Sequence, residues 1–136
     1  MACYHRPCYN VDGAVGRGKP NAIEDVMLVQ LFLTEIAKKK TGIFDPPSQA
    51  LAVNGMPDEN LYSWISAFQA TSSATPDGTV DSARGSAYTR STITNQIYTI
   101  VRLNNAFASL YPDRFPDLRK DMTLPPILRN ALSREV

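Results

Sequence analysis

The chain has 136 residues, of which 43% are hydrophobic and 20% are charged, and its formal net charge is +1. This length is typical of one domain, and this composition is typical of a folded protein. A nearly neutral chain is not typical of nucleic-acid binding, which requires many basic groups to neutralise phosphates. No apolar run reaches the roughly 18 residues of a membrane-spanning helix. We therefore expect neither nucleic-acid binding nor membrane insertion.

The first twenty residues contain glycines and prolines without a sustained hydrophobic period, which predicts an extended arm over 1–20. Residues 1–10 are not followed by the apolar segment of a secretory signal peptide. We therefore expect synthesis in the cytoplasm, with export by a dedicated machine or release as part of a particle as further possibilities. Gly13–Lys19 has the spacing of a phosphate-binding loop, but Pro20 stands where that loop needs Ser or Thr. A flexible glycine loop is the favoured interpretation.

The same arm contains both cysteines and the single histidine of the chain, at Cys3, Cys8 and His5. These side chains supply three zinc ligands at most, and no second Cys or His pair completes the four that structural zinc prefers. Two free thiols are the favoured interpretation, with a disulfide or a metal site as the alternatives. We expect no metal and no cofactor.

The first helix is predicted to start at Asn21, because Glu24 follows three residues later in the spacing of a capping box. Hydrophobic residues then recur at helical spacing in a stripe wide enough to pack on two sides. Gly42 is predicted to end this helix.

A second helix is predicted after Asp58, which is a suitable N-cap residue. Leu61, Trp64, Ile65 and Phe68 share one face of this helix, so we expect that face to be buried. A buried phenylalanine contributes roughly 1.5–3 kcal/mol of transfer free energy, so Phe68 is predicted to anchor the core.

Two turns of similar chemistry flank the second helix, at Asn54-Gly55 and at Asp77-Gly78. Glycine adopts positive φ at no steric cost, and Asn or Asp can bond to the backbone two residues on, so both sites predict tight turns.

A third and longer helix is predicted from about Ser91, where isoleucines recur at helical spacing, until Pro112. The proline-rich segment 112–136 is predicted to form a second arm, with a short helix from Ile127 to Arg134.

The order of these signals resembles the peptidoglycan-binding domain-like family. Members of that family have a first helix of the type V-x-x-L-Q, a D-G turn, a helix closing on A-x-x-F-Q, and a second D-G turn. The resemblance covers roughly residues 20–105, with Asn54 in place of the usual Asp and a longer loop between Lys40 and Leu51. It is carried by Val26, Val29-Gln30, Phe68-Gln69 and Asp77-Gly78.

The resemblance implies a mainly α fold: a compact three-helix, peptidoglycan-binding-domain-like bundle over 21–111, with short turns and with 1–20 and 112–136 as extended arms. It also implies a non-catalytic module that binds bacterial cell-wall peptidoglycan, alone or as a subunit of a larger export or phage-like apparatus. The alternative is a structural or adaptor protein that uses its arms, including exposed Phe115 and Leu118, to bind protein partners or form homo-oligomers. The predicted helical nucleus consists of Val26, Leu33, Ile65, Phe68 and Ile97.

Catalysis is not expected, because His5 lies in an arm where a nucleophile and a base are hard to hold together. Glu24 or Glu35 with Asp58 would be the carboxylate pair of a glycosidase, but each also fits a solvated helix face or a helix cap.

A ligand made of sugars and short peptides would contact exposed aromatic rings, amides and hydroxyls around a shallow groove. For the amides of Gln30 and Gln69, hydrogen bonding to loop backbone is favoured over ligand contact. Core packing is favoured for the indole of Trp64, and an exposed position for Tyr62. The candidate ligand-binding residues are Tyr62, Trp64, Gln69, Tyr88 and Tyr98.

Overall fold

The structure is a computed structural model, and it describes residues 9–39, 42, 44–71, 76–83 and 97–133. In these ranges the protein is mainly helical, with four α-helices and one 3₁₀ helix around a common hydrophobic core. The elements are α1 (Ile23–Lys38), α2 (Glu59–Gln69), α3 (Thr99–Leu110), the 3₁₀ helix (Phe115–Lys120) and α4 (Pro126–Leu132). The three helices predicted within 21–111 are present as α1, α2 and α3, and the 3₁₀ helix was not predicted.

Helix α1 lies at the centre of the fold. Every residue from Asp25 to Leu33 is buried, because α3 and α4 pack extensively on α1 and α2 contacts it as well. A helix that is apolar on several sides needs such neighbours on several sides. The prediction that this helix packs on more than one side is confirmed.

The start of α1 differs from the prediction. Asn21 has a φ of +50° and does not cap the helix, which begins at Ile23 after Ala22. The Asn21 amide instead bonds to the backbone of Gly16, accepting from its N–H at 2.9 Å and donating to its carbonyl at 2.8 Å. The capping-box prediction was wrong because this side chain closes the preceding loop. The helix ends at Lys38, before Gly42, whose φ is +81°.

Helix α2 begins as predicted. The Asp58 carboxylate accepts a hydrogen bond from the Leu61 N–H at 2.9 Å, and the apolar face of the helix is buried. The predicted nucleus is also confirmed: Val26, Leu33, Ile65 and Phe68 are buried in one core cluster, and Ile97 packs against that cluster.

Helix α3 begins later than predicted. Tyr98 has an extended backbone with a ψ of 139°, so the helix starts at Thr99 and cannot run unbroken from Ser91. The repeated isoleucines suggested a continuous helix, but Ile97 reaches the core from a non-helical position. Residues 84–96 lie outside the described ranges. The helix ends at Leu110, before Pro112, as predicted.

The C-terminal segment packs on the rest of the protein. Phe115 is 2% exposed and Leu118 is 1% exposed, which contradicts their predicted exposure. The predicted short helix exists as α4, with its buried Leu128 and Leu132 directed into the core. Residues 112–133 therefore pack on the core through their buried side chains and do not form a free arm.

The N-terminal segment is held to α3 by Asn104. The buried Asn104 amide accepts from the Tyr9 N–H at 2.9 Å and donates to the Tyr9 carbonyl at 2.8 Å. The Tyr9 ring meets Phe115 edge to face, with 5.1 Å between ring centroids, and the Tyr9 hydroxyl donates to the Phe115 carbonyl. The start of the described chain therefore meets the C-terminal segment in one aromatic cluster.

Two further contacts hold residues 9–20 in place. The buried Asp25 carboxylate accepts from the N–H groups of Asp12 and Gly13, both at 3.1 Å. Val15 and Val80 exchange backbone hydrogen bonds of 2.9 and 2.8 Å in a single antiparallel bridge. The prediction of an extended N-terminal arm is therefore wrong for residues 9–20.

Because the Tyr9 phenol is buried, we expect the protein to lose stability at alkaline pH, where this phenol ionises. Burial raises the pKa of Tyr9 above its ordinary value of about 10. Because the folded-state pKa exceeds the unfolded-state value, this contribution to stability is complete below about pH 10 and is lost as the pH rises through the folded-state pKa. Urea unfolding at pH 8 and pH 11 should show a smaller alkaline loss for Tyr9→Phe than for the parent chain. An equal loss in both proteins would contradict this prediction.

Candidate functional site

Gln30 holds the turn at Asn54-Gly55. Its side-chain oxygen accepts from the N–H groups of Asn54 at 3.0 Å and Gly55 at 2.8 Å, and its amide nitrogen donates to the Asn54 side-chain oxygen at 2.9 Å. Gly55 has a φ of +77° and lies against α1, since a Cβ there would come within 2.9 Å of Ile23 Cγ2 and 3.5 Å of Met27 Cγ. We call these five residues the first turn unit.

Gln69 holds the turn at Asp77-Gly78 in the same way. Its side-chain oxygen accepts from the Gly78 N–H at 2.9 Å, and its amide nitrogen donates to the Asp77 carboxylate at 3.0 Å. Gly78 has a φ of +73° and lies against α2, where a Cβ would meet Ser66 Oγ at 3.1 Å and the Tyr62 carbonyl at 3.3 Å. These five residues form the second turn unit.

The two turn units repeat one arrangement. In each unit a helix presents a buried glutamine, and residues seven and three positions before it contact the glycine of the turn. These contact positions are Ile23 and Met27 in the first unit, and Tyr62 and Ser66 in the second. Both glutamines bond to turn backbone, which confirms the structural role predicted for them.

A shallow groove of about 480 Å³ borders the second turn unit. Its floor combines the outer face of α2 with the turn, so hydroxyl groups and glycine backbone lie beside one tyrosine ring. The lining residues central to the site are Arg17, Glu59, Tyr62, Ser63, Ser66 and Gly78.

The rim of the groove is an ion pair between Arg17 and Glu59. The Arg17 guanidinium donates to both Glu59 carboxylate oxygens, and its central carbon lies 5.5 Å from the centroid of the Tyr62 ring. This hydrogen bonding raises the pKa of Arg17 and lowers the pKa of Glu59. The two side chains are 71% and 72% exposed, so solvent screens the pair and it contributes little to stability.

The loop that carries Arg17 is tied to the second turn unit. Asn21 closes this loop through the backbone of Gly16, and the bridge from Val15 to Val80 joins it to the chain just after the turn. A Cβ on Gly16 would come within 2.7 Å of the Thr79 hydroxyl. Arg17 is therefore presented to the groove from a closely packed backbone.

Two of the predicted ligand-binding residues are almost completely buried. Trp64 is 6% exposed, its indole N–H donates to the Gln49 carbonyl at 2.9 Å, and its ring packs against Phe44 with 6.0 Å between centroids. Gln69 is 2% exposed and holds the second turn. Internal contacts therefore account for both side chains.

Of the predicted tyrosines, the structure places Tyr62 in the groove. Tyr98 is half-buried just before α3 and does not belong to the groove lining, and Tyr88 lies outside the described residues. Sequence reasoning missed Arg17 and Glu59 as groove residues, because they are 42 positions apart and neither belongs to a motif.

The described residues give little support to a glycosidase carboxylate pair or to a metal site. Asp58 caps α2, and the Glu35 carboxylate pairs with Lys38 at 2.9 Å and Arg114 at 3.1 Å, so both have structural partners. In the described ranges no group of three or more His, Cys, Asp or Glu is arranged to hold a metal ion. Cys3, His5 and Cys8 lie outside those ranges. None of the described helices has the length and apolar character that a membrane span requires.

The fold and the groove define a mainly helical domain with a shallow polar surface site. Comparisons of the chain with protein-family models, with curated proteins and with solved structures found no match.

Proposed function

We propose that this protein is a non-catalytic module that binds bacterial cell-wall peptidoglycan, alone or as a subunit of a larger export or phage-like apparatus. The groove beside the second turn unit is the proposed contact surface. The observation that carries this proposal is the difference between the two turn units at equivalent positions: Ile23 and Met27 in the first, Tyr62 and Ser66 in the second.

The first turn unit shows which side chains are sufficient to pack against the glycine of such a turn. It packs its glycine against an isoleucine and a methionine, so the arrangement requires neither a phenol ring nor a hydroxyl. The second unit has both, and Arg17 and Glu59 lie beside them. A tyrosine ring surrounded by hydroxyls and charges suits a ligand made of sugars and short peptides.

The turn units also support the resemblance to peptidoglycan-binding domains. The residues that carry the resemblance include both glutamines and the second turn, and the structure uses them together: Gln30 bonds to Asn54-Gly55 and Gln69 bonds to Asp77-Gly78. We propose that the part of the fold within residues 21–111 is a divergent version of that family's bundle, extended by the 3₁₀ helix and α4.

The test is co-sedimentation of the purified chain with insoluble peptidoglycan. Replacing Tyr62 by Ile and Ser66 by Met gives the second turn unit the contact residues of the first, so the fold should be retained. We expect this double variant to lose at least tenfold in affinity for peptidoglycan, which corresponds to about 1.4 kcal/mol. Ser133→Met is the control, because Ser133 is exposed directly after the end of α4 and does not line the groove.

Retention of full binding by the folded double variant would reject the groove as the contact surface. Failure of the parent chain to co-sediment over a range of salt concentrations would reject peptidoglycan binding itself. Release of soluble wall fragments by the purified chain would reject the non-catalytic part of the proposal.

The alternative function, a structural or adaptor protein, was inferred from two arms able to bind partners. The described parts of both segments are packed in the core: Tyr9 and Val11 at one end, Phe115 and Leu118 at the other. That inference has therefore lost its main support, and wall binding is the stronger of the two proposals.

A further inference from the structure

The groove holds one aromatic ring among the described residues that line it, and a cation lies over that ring. The central carbon of the Arg17 guanidinium is 5.5 Å from the centroid of Tyr62. A sugar that binds an aromatic ring packs its C–H surface on the ring face, where the guanidinium already lies. Stacking of a sugar on this face would require the ion pair of Arg17 with Glu59 to be displaced.

The guanidinium retains donors for a ligand. Arginine carries five N–H donors, and Glu59 engages those on Nε and Nη2. The Nη1 donors have no acceptor among the described residues. A ligand carboxylate can take up such donors in a charge-assisted hydrogen bond without breaking the pair with Glu59.

The groove also offers negative charge. Glu59 and Asp77 both line it, so the charged side chains among the described residues of the lining are one cation and two carboxylates, together with the hydroxyls of Ser63 and Ser66. A neutral sugar polymer would use none of these charges. A short peptide with a carboxylate and an ammonium group would pair with both signs at once.

We infer that the groove recognises the zwitterionic peptide stems of peptidoglycan and not its glycan strand. This inference rests on the proposed function and names the part of the polymer that the site contacts. Arg17 binds the carboxylate of the stem, and Glu59 with Asp77 attracts its ammonium group.

The experiment compares two insoluble substrates with the full chain: intact peptidoglycan, and chitin, a neutral N-acetylglucosamine glycan that carries no peptide stems. We expect binding to chitin to be at least tenfold weaker. Arg17→Gln should weaken binding to intact peptidoglycan about tenfold, since a charge-assisted hydrogen bond is lost. The affinity of Arg17→Lys for intact peptidoglycan should lie between that of the parent chain and that of Arg17→Gln, because lysine keeps the charge but not the planar fork.

Lys19→Gln is the matched control, since it removes one positive charge from an exposed position of the same loop. Its affinity for intact peptidoglycan should stay within twofold of that of the parent chain, because an exposed charge outside the contact contributes little. Equal binding of the parent chain to intact peptidoglycan and to chitin, or full binding by folded Arg17→Gln, would overturn the inference and leave wall binding standing. Absence of binding to intact peptidoglycan would instead overturn the proposed function on which the inference rests.

Discussion

Gln69→Leu is expected to lower the free energy of unfolding by about 3–5 kcal/mol, since each buried polar group left without a partner costs about 1–3 kcal/mol. The Gln69 amide is 2% exposed and bonds to the Gly78 N–H at 2.9 Å and the Asp77 carboxylate at 3.0 Å. Its amide nitrogen also lies within hydrogen-bond distance of the Thr79 carbonyl at 2.9 Å and the Thr99 hydroxyl at 3.0 Å, so its two N–H groups are shared among three acceptors. Leucine fills a similar volume but satisfies none of these groups.

Urea unfolding of the purified variant, followed by circular dichroism, measures this loss. Gln49→Leu is the matched control, because the Gln49 side chain is exposed and only its backbone carbonyl takes part in a described contact. We expect the control to change stability by less than about 0.5 kcal/mol. A loss below about 1 kcal/mol for Gln69→Leu would show that the second turn does not depend on this amide.

The second large effect is expected for Phe115→Ala, which should cost about 3–5 kcal/mol of stability. Phe115 is 2% exposed, and its ring centroid lies 5.1 Å from that of Tyr9 and 6.1 Å from that of Phe107. Truncation removes the buried ring and leaves a cavity between the C-terminal segment and the helices. Since small domains are stable by about 5–15 kcal/mol, this change should remove roughly a fifth or more of the total.

Thermal and urea unfolding measure the effect of Phe115→Ala. Met122→Ala is the control in the same segment, because Met122 is 75% exposed and should change stability by less than about 0.5 kcal/mol. Equal stability of the two variants would mean that residues 112–133 do not share the core. Deletion of residues 112–136 is expected to abolish cooperative unfolding for the same reason.

Features set by neighbouring residues could be predicted from the sequence. Asp58 caps α2 through a group three residues later, and Gly55 and Gly78 adopt the positive φ that their turns require. The hydrophobic spacing of α1 and α2 indicated which faces are buried. Each of these features depends on contacts within one turn or one helix, so a single sequence carries the signal.

Features set by distant partners could not be predicted. Asn21 has the sequence context of a helix cap, but the preceding loop uses its side chain. Asn104 binds the backbone of Tyr9, 95 positions away, and this contact fixes a segment that resembled an arm. The proline-rich composition of 112–136 indicated an arm with a short helix. The helix exists as α4, but the composition gave no sign that Phe115 and Leu118 pack into the core.

The candidate site was predicted only in part for a related reason. Helical spacing places Tyr62 beside the buried stripe of α2, and the predicted exposure is only partial: Tyr62 lines the groove but also packs against the core. Trp64 shares the helix with Tyr62 but faces the core, and its indole is satisfied there by the Gln49 carbonyl. Arg17 enters the groove from a separate loop, so no local pattern connects it to Tyr62.

The meeting of Tyr9 with Phe115 has a consequence for biosynthesis. Their hydrogen bond joins residues 106 positions apart. The Tyr9 backbone also needs the side chain of Asn104 as its hydrogen-bond partner. On the ribosome, the apolar side chains near the N-terminus emerge long before the partners that will cover them. Final folding is therefore delayed until the chain has been translated past Phe115, and a chaperone has that interval in which to bind the nascent segment around Tyr9.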